Sequence, residues 1–266
     1  MFFNHALEPS AAVAEAVRSA DYGDADVEFS SCDARDRPEG IELAVSIGGD
    51  GTFLLTSKTI MGTGVPVFGI NTGRLGFLAS GEAQNAVRDV KSILSGGYDT
   101  FAMVPIRGEI SRNGGPAGRV WALNEIMIVK GLVSRPISIT ARLGRDRLYS
   151  FLADGIIVAT PTGSTAYALS AGGPIVHPGL RCISVTPICP HSLYPRPLVA
   201  PDTETVTITL EPSQCGAILS GDGQNDAELL PGDDVSITSD PDRKIDVIKL
   251  GAGSYIDVLR SKLNWS

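Results

Sequence analysis

The sequence predicts an α/β protein of two parts. A parallel-sheet α/β domain comes first, a β-rich domain follows, and a C-terminal helix is expected to pack back on the first domain. Three observations carry this. Apolar, strand-length runs alternate with helical segments over the first hundred residues, the pattern of a parallel sheet covered by helices. From Tyr98 onward strand-length runs follow one another, most of them joined by Gly, Pro, Asn or Asp, the pattern of an all-β or mostly β domain. Helical spacing returns from Ser254 to Leu263. The boundaries drawn from these changes are 1–97, 98–250 and 251–266.

In chain order, Ala11–Val17 has helical composition, with Ser10 after Pro9 as its cap. Asp21 to Gly40 is polar and acidic, with one short strand expected at Val27–Phe29. Strand Ile41–Ile47 feeds a glycine turn, and a helix is expected over Phe53–Met61. A second buried strand, Val65–Ile70, ends in the glycine-bearing loop Asn71–Phe77. Helix Gln84–Leu94 stops at Gly96–Gly97. Ligands of such sheets sit at the carboxyl ends of the strands, where both glycine loops fall. The strand-length runs of the second part are Ile106–Ile110, Val120–Val129, Ile137–Leu143, Ile156–Ala159, Val206–Leu210, Val235–Thr238 and Ile245–Leu250. Between them only Ser164–Ser170 reads as helical.

Composition narrows the function. The chain has 266 residues, 43% hydrophobic and 20% charged, an ordinary globular profile with length for a sizeable core. Its 22 basic against 30 acidic residues give a net charge of −8, which argues against nucleic acid or an anionic membrane as partner. An anionic substrate would be held by local amides, a few placed cations and a metal ion. Cys32, Cys182, Cys189 and Cys215 form no C-x-x-C pair, so reduced thiols in a cytosolic protein are the simpler reading. The first residues lack a basic stretch leading into an apolar core, no run reaches membrane-spanning length, and a cytoplasmic location is expected.

Three constellations carry chemistry. Gly48–Gly49–Asp50–Gly51–Thr52 follows a strand and opens a helix. Glycines let a ligand approach the main chain, and helix-start amides favour anions. A carboxylate gains nothing in a loop that only holds phosphate, but is needed in one that takes a proton from a hydroxyl. The alternative is that Asp50 is a plain helix N-cap. Asp154–Tyr167 places a carboxylate before a strand that ends in a hydroxyl-rich Pro/Gly turn, able to bind an anion, sugar or base or simply to cap a helix. Asn124–Glu125 interrupts an apolar run. Adjacent polar residues in a buried strand face opposite sides and need partners, either a ligand or an internal network. There is no G-x-x-x-x-G-K-[ST], no G-x-G-x-x-G after a strand and no G-x-S-x-G.

Taken together, G-G-D-G-T at 48–52, N-T-G-R-L-G-F-L at 71–78, Asn124–Glu125 and D-G-I-I-V-A-T-P-T-G-S-T-A-Y at 154–167 resemble the NAD kinase family in order and spacing. Ser170–Ile175, His191–Leu193, Arg196–Val199 and S-G-D-G-Q at 220–224 extend the resemblance from Ile41 to the carboxyl end. G-G-D-G-T is shared with diacylglycerol and sphingosine kinases, whereas T-P-T-G-S-T-A-Y with the upstream Asn–Glu pair is far more specific. The resemblance implies phosphoryl transfer from ATP, with Mg²⁺ or another divalent cation, to the 2′-hydroxyl of the adenosine ribose of NAD, giving NADP. It implies Asp50 as the catalytic base, and Gly48, Gly49, Gly51 and Thr52 as the phosphate loop. It places NAD against Asp50, Gly51, Phe77, Asn124, Glu125, Arg135, Asp154, Thr162, Thr165, Ala166, Tyr167, Ala168, Leu169, Ser170 and Gln224, with no protein metal site. It further implies a homodimer or homotetramer whose sites draw residues from a neighbouring chain. Two departures stand out. Leu55 and Leu152 occupy positions where relatives carry basic residues, which leaves open the donor contacts and the choice between NAD and NADH. The readings weighed against NAD kinase are a lipid kinase, which needs an apolar acceptor pocket, and a non-catalytic dinucleotide sensor, which needs Asp50 only as a cap.

Overall fold

Strand Ala44–Gly48 and its parallel neighbour Val67–Asn71 are buried at every position, as strands are when both sheet faces are covered. Pairing sets Val45 beside Phe68 and Ile47 beside Ile70, so these four share one face. They join Ala14 and Val17 of helix Glu8–Ser19 and Ala86, Val90 and Ile93 of helix Ala86–Leu94 in one apolar cluster. The opposite face is met by helix Asp50–Ile60, whose Phe53 ring lies over Gly69. A Cβ on Gly69 would stand 2.8 Å from that ring. The computed structural model describes residues 1–3, 8–23, 27–30, 39–73, 76–131, 135–211, 216–251 and 254–264.

The chain forms two units, 1–103 with 243–266, and 104–242. The first holds a sheet ordered Phe2–Phe3, Ala44–Gly48, Val67–Asn71, Ile245–Lys249 and Asp99–Met103, with Gly81–Glu82 also paired to Val67–Asn71. Its pairings are parallel except the last, Ile245–Lys249 against Asp99–Met103. Strand Ile245–Lys249, expected in the second part, thus belongs to the first unit's sheet. Helix Tyr255–Leu263 belongs to the first unit too. It starts in a capping box, with the Ser254 hydroxyl accepting from Asp257 N and the Asp257 carboxylate accepting from Ser254 N.

The second unit is built of two antiparallel sheets of six strands. One runs Asp146–Ala153, Ile137–Leu143, Val206–Leu210, Asp234–Ser239, Ile106–Arg112 and Gly115–Ala122. The other runs Leu198–Pro201, Cys182–Ile188, Gly155–Ala159, Glu125–Lys130, Ala217–Gly221 and Gln224–Leu229. Apolar side chains from both sheets form one core, from Ile106 and Ile139 to Ile156 and Leu219. Gly155–Ala159 is buried on both faces, since Ile157 and Ala159 meet Ala168 on the side away from that core.

Several elements differ from expectation. Among the described residues Val27–Phe29 has no strand partner, and it is not a strand. Ser10 lies inside helix Glu8–Ser19, fully buried, its hydroxyl 3.1 Å from that of Thr72, and does not cap it. The run Val120–Val129 is two strands, Gly115–Ala122 and Glu125–Lys130, broken at Leu123–Asn124. Asn124 therefore stands in a break and Glu125 at a strand start, so the alternation of an uninterrupted strand does not apply to them. Cys182 and Cys189 are free thiols, while Cys32, Cys215 and the loop residues Arg74 and Leu75 lie outside the described residues. Among the described residues no helix is long and apolar enough to cross a membrane.

Candidate active site

The candidate residues fall on both units. On the first, strand Ala44–Gly48 ends in a turn so tight that a Cβ on Gly48 would sit 2.5 Å from Thr52 Oγ1. Gly49 occupies the cap position and Asp50 is already the first helical residue, so the plain N-cap reading of Asp50 fails. Its carboxylate turns instead to the second glycine loop. Oδ2 accepts from Phe77 N at 3.0 Å and Oδ1 from Leu78 N at 3.2 Å. Gly76 makes the approach possible, because a Cβ there would stand 1.9 Å from Asp50 Oδ1. The two loops the sequence placed at the strand ends are thus joined through this one carboxylate. Its orientation is fixed while lone pairs remain for an incoming hydroxyl. Gly49 and Gly51 are exposed, with open space where their side chains would be. Phe77, half-buried, lies under the Lys262 ammonium of the C-terminal helix, 5.6 Å from the ring centre.

On the second unit, the break at Leu123–Asn124 is gripped from two sides. The Asp222 carboxylate accepts from Leu123 N at 2.9 Å, Asn124 N at 2.7 Å and Glu125 N at 3.3 Å. Thr160 bonds the same stretch, its hydroxyl to Leu123 O at 2.6 Å and its amide to Asn124 O at 2.8 Å. Gly163 lies so close that a Cβ would meet Asn124 O at 2.0 Å. Every polar backbone contact here is internal, yet two side-chain atoms are left over. Asn124 Oδ1 and Glu125 Oε2 are buried without a hydrogen-bond partner among the described residues. Burial, and secondarily the charge of Asp222, pushes the Glu125 carboxyl up to about 7. Unpartnered buried acceptors are costly unless a ligand supplies donors.

Hydroxyls of the hydroxyl-rich turn also bond within the protein. Residues Thr162–Thr165 form a short 3₁₀ turn and Tyr167–Ser170 a single helical turn. The Ser164 hydroxyl ties Pro161 O to Val176, and the Thr165 hydroxyl bonds Thr162 O. Thr162, Thr165, Ala166 and Leu169 are half-buried, Ala168 is buried, and Tyr167 and Ser170 are exposed. Gln224 is exposed at the start of its strand, two residues after Asp222. Arg135 is exposed. Asp154 pairs with Lys130 Nζ at 2.7 Å. In the sheet, Glu125 lies opposite Ala159 and Val129 opposite Gly155. Asp154, opposite Lys130, is therefore about five residues along the strand from Glu125, roughly 17 Å away. The structure gathers Asn124, Glu125 and the 160–163 turn, and separates Asp154 from them. Leu55 and Leu152 are both exposed.

Sequence reasoning missed Gly76, Leu78, Thr160, Gly163 and Asp222 as parts of the site. Each lies in a motif that was visible, but with no chemical role apparent in isolation.

Comparison with known proteins gives the same family twice over. The ATP-NAD kinase N-terminal domain matches residues 12–98 and the ATP-NAD kinase C-terminal domain residues 123–250. An NAD kinase of Syntrophotalea carbinolica is 39% identical over 245 residues, 92% of this chain and 85% of that protein. One from Aromatoleum aromaticum is 41% identical over 225 residues, covering 85% and 74%. Among solved structures, yeast NADH kinase complexed with NADH aligns with a TM-score of 0.79 and 30% identity, covering 85% of this chain and 67% of that one. An NAD kinase from Archaeoglobus fulgidus in complex with ATP aligns at 0.68 and 29%, covering 85% and 84%. The fold, the carboxylate held at the glycine turn and these matches agree, and the chain belongs to the NAD kinase family.

Proposed function

We propose that Asp50 is the base of this NAD kinase, taking the proton of the adenosine 2′-hydroxyl of NAD as that oxygen receives the phosphoryl group of ATP. The observation that carries this is the carboxylate itself. It stands at a helix start among exposed glycine amides, aimed by the amides of Phe77 and Leu78 and not spent on capping its own helix. Phosphoryl transfer asks mainly for alignment and charge neutralisation. The amides of Gly48, Gly49, Gly51 and Thr52 suit the donor's phosphates. Asn124 Oδ1 and Glu125 Oε2 suit the amino and hydroxyl donors of the adenosine. Phe77, Arg135, Asp154, Thr162, Thr165–Ser170 and Gln224 complete the dinucleotide contacts.

A divalent cation fits as a passenger of the ATP. It would be held by phosphate oxygens and water, with Asp50 as the carboxylate available at the glycine turn; among the described residues no three His, Cys, Asp or Glu side chains cluster. It would supply neutralisation of the phosphate charge. The reaction is assigned to the cytoplasm. The active form is a homo-oligomer in which Asp154 serves the site of a neighbouring chain, a reading supported by its separation from Glu125 along the strand.

Asp50→Asn tests the base. NADP formation from NAD, ATP and Mg²⁺ should fall by about two to four decades while NAD binding persists. Turnover within a few-fold of wild type would reduce Asp50 to a structural group. Mixing inactive Asp50→Asn and Asp154→Ala chains tests the sharing, since hybrid dimers then regain one site with both carboxylates. Confirmed hybrids without activity would refute it.

A further inference from the structure

With its carboxylate Asp222 reaches all three amides of the Leu123–Glu125 break. Its own amide closes the circle by donating to Glu125 O at 3.0 Å. To do so Asp222 adopts a left-handed backbone, φ 53°, between Gly221 and Gly223, a conformation unusual for a residue with a side chain. Together with Thr160 this grip holds the break between strands Gly115–Ala122 and Glu125–Lys130, which belong to different sheets. What the grip produces is specific. Asn124 stands in the break and Glu125 opens the next strand opposite Ala159, and among the described residues each keeps a buried acceptor atom without a hydrogen-bond partner, Asn124 Oδ1 and Glu125 Oε2, the latter on a residue only 7% exposed. Strand breaks are ordinarily closed by turns with solvent-facing polar groups. A break closed from inside by a charged side chain, with unpaired acceptors left beside it, is arranged for something that brings donors.

We propose that Asp222 is a positioning residue for the adenosine part of NAD, holding the backbone from which Asn124 and Glu125 reach the ligand. This rests on the function proposed above and adds a residue to which that reading gives no role. The same carboxylate has an electrostatic consequence. Among the described residues Asp222 is the charged group acting on Glu125, and with burial it keeps the Glu125 carboxyl protonated up to about pH 7. A residue that only stabilised the fold would not tie NAD recognition to the protonation of its neighbour.

The test uses wild type, Asp222→Asn and Asp222→Ala. Asn keeps the shape but offers one oxygen where the break presents three N–H groups, and it carries no charge. The KM for NAD should rise about 10- to 100-fold in the Ala variant and less in the Asn variant, as expected for contacts displaced by an ångström or so. The KM for ATP should stay within about threefold. In Asp222→Asn the ionisation near neutrality in kcat/KM for NAD should move to lower pH, because the neighbouring negative charge is gone. Should the Ala variant fail to fold, the Asn variant decides alone. An unchanged KM for NAD, or equal rises for NAD and ATP with an unmoved pH profile, would overturn the proposal. Wild-type protein that binds NAD yet forms no NADP would instead sink the proposed reaction. The dissociation constants of the three proteins for NAD, by calorimetry, would then decide the role of Asp222.

Discussion

Gly76→Ala adds one methyl group at the point where the second glycine loop meets the Asp50 carboxylate. Built on the existing backbone, its Cβ falls 1.9 Å from Oδ1, 2.6 Å from Cγ and 3.0 Å from Oδ2. The neighbour is the carboxylate tip of a short side chain held at both oxygens, so it cannot swing aside without releasing Phe77 N and Leu78 N. Cβ atoms essentially never approach within 3.0 Å, so carboxylate and loop must part by at least about 1 Å. Misplacement on that scale costs roughly 100-fold in rate when it falls on a reacting group. The two amide bonds to a charged acceptor are worth about 1.5–3 kcal/mol each, so part of the loop's anchoring goes too. The assay is the initial rate of NADP formation with both substrates saturating. Gly115→Ala serves as the control, since its added Cβ would meet only Arg112 O, at 3.8 Å, in a hairpin of the other unit. The expected result is a kcat down about 100-fold for Gly76→Ala and unchanged for Gly115→Ala. A stable Gly76→Ala protein with kcat within threefold of wild type would refute the argument that the amide-held pose of Asp50 matters.

Glu125→Gln removes a carboxyl whose folded value, about 7, lies above its ordinary 4.5. The folded state holds that proton more tightly, so the stabilisation is complete below about pH 4.5, declines as pH rises, and is gone above about 7. Relative to the Gln variant, the wild type should lose up to about 3 kcal/mol across that window, read by urea unfolding at pH 5 and pH 8. A stability difference that does not change with pH would contradict it. Gly163→Ala drives a Cβ to 2.0 Å from Asn124 O and 2.4 Å from its carbonyl carbon, both backbone atoms. It should cost about 1–3 kcal/mol or more and weaken NAD binding, measured by thermal unfolding and calorimetry. Wild-type values in both would show that the turn and the break are not packed as described.

How much was legible depended on whether the decisive contact was local. The glycine turn after a buried strand and the two loops at strand ends were readable, because Ile41–Ile47 and Val65–Ile70 carry their own apolar signature. That Asp50 is held by Phe77 and Leu78 was not, since the motif shows the residues but not that an amide pair points at a carboxylate 27 positions earlier. Val120–Val129 read as one strand because nothing local stops it. The break is held by Asp222, about a hundred residues away, and by Thr160. Ser10 had the composition of a cap, but burial against Thr72 put it inside the helix. Likewise Ile245–Lys249 was plainly a strand, yet no pattern within five residues says which sheet will take it.

That last strand sets the order in which the molecule can be made. It lies between Val67–Asn71 and Asp99–Met103, so the first sheet is incomplete until Ile245–Lys249 has left the ribosome. The unit formed by 104–242 is continuous, and its partners are all present once its last strand emerges. Domains generally fold as units during synthesis. Here the interrupted unit must wait, with the edge of Val67–Asn71 exposed, while the later-made one folds. A nascent chain stalled before Ile245 should therefore hold a protease-resistant 104–242 beside a digestible amino-terminal third. Emergence of Ile245–Lys249 is the event that sets the glycine turn at the end of a finished sheet.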